Sequence, residues 1–454
     1  MGQLADLWDG RGRKDYIIPC RLLKKPKEED LHPMAKPDTG AAGVLRNVFS
    51  NRNILAISFT TTLWSLGNNA WQQNYWSLWL KEELGVSIAL IGVLSTIQSA
   101  EQMLFQLPGG IIADKFGRRR IILFGTSLRL IPPIIYILAT NWEQILLATI
   151  INASSSIYMP AFEAIVADSL PSRQRGAGYG AYRMITSLPR IFMPSIGGVV
   201  MDAWGYRDGV RFFNITTIFL VIIVVVIRAR YITETLAKTT EKRSTKTTFT
   251  DALKVPRSIW AMMIVATVSG FALRMVMQLT PIFVKEVIGL SNTEMGFAAT
   301  ASSLVSSLLI MPSGMLSDRM GRKPLILTAE LLTPLTTLGI MYVNGFPQYL
   351  MLQILVGVGA ALGGRHFGFA GGPAWQALIA DLVPKERRGT VMGLQSTIGG
   401  IAGTPAPIIG SYVWEGYSPI TAFVISGILT ASVIPIFLFF VKEPRKSEEY
   451  GPSV

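Results

Sequence analysis

From residue 53 onward, long apolar stretches alternate with short polar turns. Each stretch is long enough to cross a hydrocarbon core of roughly 30 Å as a helix. The pattern predicts twelve spans, near 53–80, 87–111, 119–140, 143–169, 176–203, 210–230, 257–284, 292–316, 323–343, 347–381, 389–413 and 418–441. No period-two alternation competes, so the expected fold class is an all-α membrane protein with twelve transmembrane helices. The tenth span is too long for one straight helix. It carries Gly357, Gly359, Gly363, Gly364, Gly368, Gly371 and Gly372, so a bend is expected there.

Polar stretches divide the chain. Residues 1–50 form a charged, proline-punctuated tail with no early apolar run, which does not read as a signal peptide. Residues 231–256, with Lys238, Glu241, Lys242, Arg243 and Lys246 among threonines, form a linker, and residues 442–454 a second tail. Between them lie two six-helix bundles, 53–230 and 257–441. The bundles are copies: the stretch from Lys81 to Leu123 returns from Lys285 to Leu327, with Pro108/Pro312, Gly110/Gly314, Asp114/Asp318, Gly117/Gly321 and Arg118/Arg322 in register. A second match aligns Pro160 through Asp168 with Pro373 through Asp381. Two long copies in so apolar a chain imply a duplicated membrane bundle, the architecture of transporters that rock one half against the other.

Charge fixes orientation. The formal net charge is +13, yet only 16% of residues are charged and mean hydropathy is +0.40. Lys115, Arg118, Arg119, Arg120, Arg173, Arg175, Arg319, Arg322, Lys323, Lys385, Arg387 and Arg388 fall in alternate loops, on the side of the linker and both tails. The positive-inside rule then puts both termini in the cytoplasm of a multi-pass plasma-membrane protein. The basic excess reads as a topology signal in a lipid bilayer, and no nucleic-acid partner is expected. One cysteine, Cys20, and two distant histidines, His32 and His366, give no metal site, and no cofactor is expected. With no nucleophile constellation and no phosphate loop, the chain does not read as an enzyme or an ATP-driven pump.

Gly110-x-x-x-Asp114-Lys115-x-Gly117-Arg118-Arg119 resembles the signature loop of the major facilitator superfamily, and Gly314 through Lys323 resembles its second-half copy. The resemblance covers residues 50 to 443. It implies a cytoplasmic gate of Gly110, Asp114, Gly117, Arg118, Asp168, Arg175, Asp318, Arg322, Asp381 and Arg388, latching the halves when the protein opens outward. Gly110 would let a neighbouring helix approach, and Gly117 would allow a tight reversal at positive φ. In the fifth span, Gly180, Pro194, Gly197 and Gly198 resemble part of the glycine-proline pattern of exporters in this superfamily, with Pro189 and Met193 replacing two of its glycines. The fourth span lacks the arginine usual in drug-proton exporters and offers Asn152 and Ser154 to Ser156 instead.

Interior charges present in only one copy are the candidates for chemistry, because an ionisable group near the bilayer centre costs at least about 2.5 kcal/mol and rarely faces lipid. Glu101 and Arg129 sit level about the Asp114 turn, and Glu163 and Arg183 level about the turn near Arg173. Glu163 with Arg183 also resembles the sugar-binding pair of sugar-proton symporters. With Glu330, these four are the candidates for ion coupling. Arg190, Arg274 and Arg365 have no obvious carboxylate at their level. With Gln278 and with Asn68 and Gln72 of the first span, they are the candidate substrate-binding residues. Ser65, Asn68, Gln72 and Tyr75 recur at helical spacing, a stripe fit to line an aqueous cavity, and Trp71, Trp76 and Trp79 beside them read as interfacial anchors. The expected function is secondary active transport of a small-molecule substrate by alternating access, with protons or another ion as coupling partner. A proton-coupled multidrug exporter is the alternative, and a membrane sensor or lipid-moving protein on the same fold is the alternative of another class.

Overall fold

A computed structural model describes residues 51–169, 175–234, 256–363, 372–383 and 387–443, and among these there is no strand. The first half comprises α1 (Arg52–Asn68), α2 (Trp76–Leu84), α3 (Ile88–Phe116), α4 (Arg118–Leu128), α5 (Ile131–Leu138), α6 (Trp142–Ser155), α7 (Met159–Ser169) and α8 (Arg175–Tyr231). The second comprises α9 (Arg257–Met277), α10 (Thr280–Phe283), α11 (Asn292–Met320), α12 (Arg322–Gly339), α13 (Phe346–Leu362), α14 (Pro373–Leu382), α15 (Arg388–Gly403), α16 (Ala406–Gly416) and α17 (Pro419–Phe440). Seven helical stretches among the described residues are long and apolar enough to cross a membrane unaided.

Several apolar stretches are broken, for local reasons. Pro132 and Pro133 remove two donors and crowd the preceding turn, which separates α4 from α5 at Arg129 and Leu130. Pro160 follows the 3-10 turn Ser156–Tyr158 that interrupts α6 and α7. Pro281 and Pro405 mark the breaks after α9 and α15. In the tenth apolar stretch α13 ends at Leu362, before Gly363 at φ 122°, and α14 begins at Pro373; Gly364, Gly368 and Gly371 lie outside the described residues. α8 reverses at Gly205 (φ 76°). Met201 packs beneath Gly209 there, eight positions on, a separation of about 12 Å in a straight helix. Helix starts carry their own caps: Asn51, Ser87, Asn141 and Ser418 each accept a backbone N–H, and Ser291 with Glu294 forms a capping box.

The duplication is visible in the turns. Gly117 and Gly321 adopt φ of 93° and 94°, and Gly85 and Gly289 of 61° and 81°. The first pair defines one end of the molecule, the loop end, and the second pair the opposite, far end. At the far end one apolar core runs through both halves, joining Trp71, Leu94 and Met193 to Phe283, Met295 and Trp414. At the loop end the core is split. Ile54, Ile122, Phe162 and Ile232 form one cluster within the first half, and Met262, Ile326, Trp375 and Phe437 another within the second.

Candidate functional site

The far end is a seam. Asn292, at the start of α11, is 3% exposed and is its hub. Its Nδ2 donates to Asp202 Oδ1 at 2.8 Å, and its Oδ1 accepts from the Tyr206 hydroxyl at 2.6 Å. Asp202 also accepts the backbone N–H groups of Asn292 and Thr293, at 3.1 and 2.7 Å. A carboxylate of one half thus caps a helix N-terminus of the other, where the helix dipole favours negative charge. The Tyr75 hydroxyl lies 3.0 Å from the carbonyls of both Pro194 and Asn292, sharing one proton between the halves. Around this hub Lys81 pairs with Glu286, the Ala89 N–H donates to Glu415 at 2.9 Å, and the Ile408 N–H donates to Thr96 Oγ1 at 3.1 Å. Burial raises the Glu82 carboxyl above its usual range, against the pull of Lys285. The Lys-Glu dipeptides of the two copies therefore face each other across the seam.

Small residues let the backbones meet. A Cβ at Gly198 of α8 would fall inside the van der Waals envelope of the Asn292 carbonyl oxygen, and one at Gly296 inside that of Pro194. Gly92 of α3 lies equally close to Ser411 of α16.

At the loop end the charged groups pair within each half. Arg118 pairs with Asp168, and its Nε lies 4.0 Å from Asp114. Arg322 pairs with Asp381 and donates to the Ala377 carbonyl at 2.7 Å. Arg388 donates to the carbonyls of Ala380 and Val383, closing the end of α14. Asp318 is exposed, and Arg175 begins α8 with its side chain outside the described residues. Among the described residues no hydrogen bond or ion pair joins the halves at this end. Glu234 and Glu443, not singled out from the sequence, cap α4 and α12: Glu234 accepts from Arg119 N–H at 3.0 Å, and Glu443 from Arg322 and Lys323 N–H at 2.6 and 3.2 Å. Each follows the last helix of its half, a periodicity the repeat alignment did not reach.

One role assigned by sequence moves by one residue. Gly110 makes only ordinary contact with Pro160; the close approach belongs to Gly109, against the Ile157 carbonyl. Successive helical positions point about 100° apart, so two adjacent glycines cannot be told apart without the neighbouring helix.

Among the described side chains, two arginines stand in the interior of the first half. Arg129, at the α4–α5 break, donates from Nε to Ser155 Oγ at 3.2 Å, with its central carbon 4.4 Å from the Trp64 ring and 5.0 Å from Tyr158. Arg228, buried in α8 and unnoticed in the sequence, donates to Thr60 and Thr126 hydroxyls at 3.2 and 2.7 Å and lies over Tyr158 and Phe162. Glu163 is exposed. The side chains of Glu101, Arg183 and Arg190, and all of Arg365, lie outside the described residues.

Asn68 and Gln72 are half-buried, but Ser65 is 8% and Tyr75 0% exposed. The expected aqueous stripe therefore ends in the seam. Trp71 and Trp79 are buried too, edge-on to each other and to Tyr136 at 5.5–5.9 Å, so they are core residues and not interfacial anchors. In the second half Arg274 is half-buried, and Gln278 donates to the Pro407 carbonyl at 3.2 Å. Glu330, 2% exposed, accepts from Ser269 Oγ at 3.2 Å and is the one buried carboxylate among the described residues.

The Major Facilitator Superfamily model matches residues 54–293 and again 262–453, one match to each half. The chain belongs to this superfamily. Among characterised relatives it is 33% identical over 180 residues to the multi-drug resistance efflux pump PmrA of Streptococcus pneumoniae, covering 38% of this chain and 42% of that one. It is 28% identical over 122 residues to the quinolone resistance protein NorA of Staphylococcus aureus, covering 27% and 31%. The chain thus spans less than half the length of these relatives. Its fold is similar to that of the nucleoside transporter NupG (TM-score 0.67, 15% identity, 86% of this chain and 100% of that one). It is also similar to a bacterial homolog of the human lysosomal transporter Spinster in an inward-facing, occupied conformation (TM-score 0.66, 14% identity, 88% and 98%).

Proposed function

We propose that this superfamily member is a secondary active transporter, captured open toward the cytoplasm. In this reading twelve spans, several broken at the prolines above, form bundles 53–230 and 257–441 that rock about a midplane site. The observation that carries it is the distribution of the core: one cluster shared by both halves at the far end, two separate clusters at the loop end. The basic loops support a cytoplasmic loop end, with both termini on that side of the plasma membrane. The cargo is a small polar or anionic solute, a reading supported by the interior arginines and by the absence of any ion pair to Arg129 or Arg228 among the described residues. Proteoliposomes loaded with such solutes should accumulate at least one of them. Binding without movement would favour a sensor on the same fold.

A second reading, multidrug export, draws on the match to PmrA and on Gly197 and Gly198 at the α8 crossing. Ethidium efflux from cells separates the two, and efflux that survives loss of the interior arginines would favour the exporter.

Orientation has its own test. Asn141 and Asn344 are exposed at the far end. Cysteines placed there in a Cys20→Ser background should react with impermeant maleimide added outside; labelling only from inside would invert the arrangement.

Coupling is assigned to Glu330. Enclosed between α9 and α12, it is the one buried carboxylate among the described residues, and an ionisable group inside a membrane bundle is a functional candidate. Glu330→Gln should abolish accumulation driven by a pH gradient and leave solute exchange intact. Parental gradient-driven accumulation would remove Glu330 from the coupling path.

A further inference from the structure

We propose that Arg129, with Tyr158 and Arg228 behind it, forms an anion subsite in the first half that takes the carboxylate or phosphate of the transported solute. The assignment rests on the transport reading above and names its cargo class.

Two guanidinium groups share one tyrosine ring here, 5.0 and 5.4 Å from its centroid. Among the described residues neither meets a carboxylate. Both charges are answered by ring faces and hydroxyls, which weakens their hydration penalty without neutralising them. Two such charges also repel each other in a low-dielectric interior. Among the described residues the pair is therefore an excess of positive charge, which a bound anion would relieve.

The two arginines are not equivalent. Arg228 is 3% exposed and its donors are engaged by Thr60 and Thr126. Arg129 is half-buried, and its only side-chain hydrogen bond to a described residue is from Nε to Ser155. Among the described residues its two terminal nitrogens have no hydrogen-bond partner, leaving a planar fork, the geometry that matches a carboxylate or phosphate in bidentate fashion. Trp64, also half-buried, stands 4.4 Å away and holds the guanidinium in place.

Position supports the same role. Arg129 sits in the gap between α4 and α5, and Tyr158 in the gap between α6 and α7. Gly125 lets the two breaks meet: a Cβ there would lie 2.7 Å from Tyr158 Cδ1. Interrupted helices are where this class of protein builds midplane sites. The cluster is also absent from the second copy, where Thr333 stands opposite Arg129 and Gly371 opposite Tyr158. Scaffold would be expected in both.

The test uses the purified full chain and three anions, benzoate, phenyl phosphate and gluconate, set against benzamide, benzylamine and glucose. At least one anion should raise the melting temperature, and its uncharged or cationic counterpart should not. Arg129→Gln should weaken that anion at least about tenfold, the loss expected for charge-assisted hydrogen bonds. Arg129→Lys keeps the charge, removes the fork, and should still weaken the anion severalfold; it carries the test if the glutamine variant does not fold. No response to any of the anions, or equal affinity in both variants, would overturn the subsite. An anion held at Arg129 but not accumulated by proteoliposomes would refute transport and leave the subsite standing. Accumulation of a solute indifferent to both variants would do the reverse.

Discussion

Gly198→Val should abolish transport while leaving the protein inserted and folded. The Gly198 Cα faces the backbone carbonyl of Asn292, and a side chain there has nowhere to go. Asn292 cannot retreat cheaply, because its carbonyl, side chain and amide are held by Tyr75, Tyr206 and Asp202. Overpacking of this kind costs about 1–3 kcal/mol. In a two-state equilibrium that is roughly a 5- to 150-fold shift, all of it against the form in which the far end is closed. The halves still fold, since the loop-end clusters do not touch this crossing. Cysteines replacing Lys81 and Glu286 report the seam directly, because those two side chains pair across it. Their cross-linking should fall sharply in Gly198→Val and partly in Gly198→Ala. Gly416→Val, at a position with open space around its Cβ, is the control and should change neither. Parental cross-linking and transport in Gly198→Val would mean that the seam does not have to close.

The sequence carried what is local and what is repeated. The reversal at Gly117 was expected because a glycine stands between a helix end and an arginine run. Its φ of 93°, matched by 94° at Gly321, is what duplication of one turn requires. The end of α13 at Leu362 was legible for a similar reason, as glycines destabilise a helix wherever they cluster. Contacts between halves were not legible. Asp202 and Asn292 lie 90 positions apart, in segments that share no repeat, and nothing in either segment names the other. Lys81 and Glu286 show the limit well: both were visible as identities between copies, yet identity between copies says nothing about pairing across them. Pro132 and Pro133 break the helix beside Arg129, and its described partners are Ser155, Trp64 and Tyr158; the side chain of Glu101, toward which counting residues pointed, lies outside the described residues. Arg228 escaped notice because it lies near a helix end, where arginine is ordinarily topogenic. Only the fold reveals that its side chain turns inward to Thr126.

Asp114→Asn should cut transport severely without lowering stability, and the combination is the diagnostic part. In this conformation Asp114 is 70% exposed and, among the described residues, pairs only with Arg118, at 4.0 Å, within its own half. Pairs so exposed contribute about 0–1 kcal/mol, so the melting temperature of the inward-open form should be nearly unchanged. If Asp114 nevertheless matters, it acts in the other conformation, where the loop end must close and the far-end seam must open. A ligand or residue shifts an equilibrium only through its differential interaction with the two states. Asp114 meets that condition: here it has no partner in the second half among the described residues, and closing the loop end would bring basic and helix-terminal groups of the second half towards it. Removing its charge then disfavours outward opening and leaves the protein resting as it is seen here. Cysteines at Lys81 and Glu286 should accordingly cross-link at least as well in Asp114→Asn as in the parent, the opposite of Gly198→Val. Arg118 pairs with Asp168, so Asp168→Asn should both loosen the loop and impair transport, a less selective effect. Asp318→Asn should be milder than Asp114→Asn, because Arg322, the counterpart of Arg118, is anchored by Asp381 and the Ala377 carbonyl together. Parental transport in Asp114→Asn, or weaker seam cross-linking than in the parent, would remove the aspartate from the gate and leave the loop as topogenic charge.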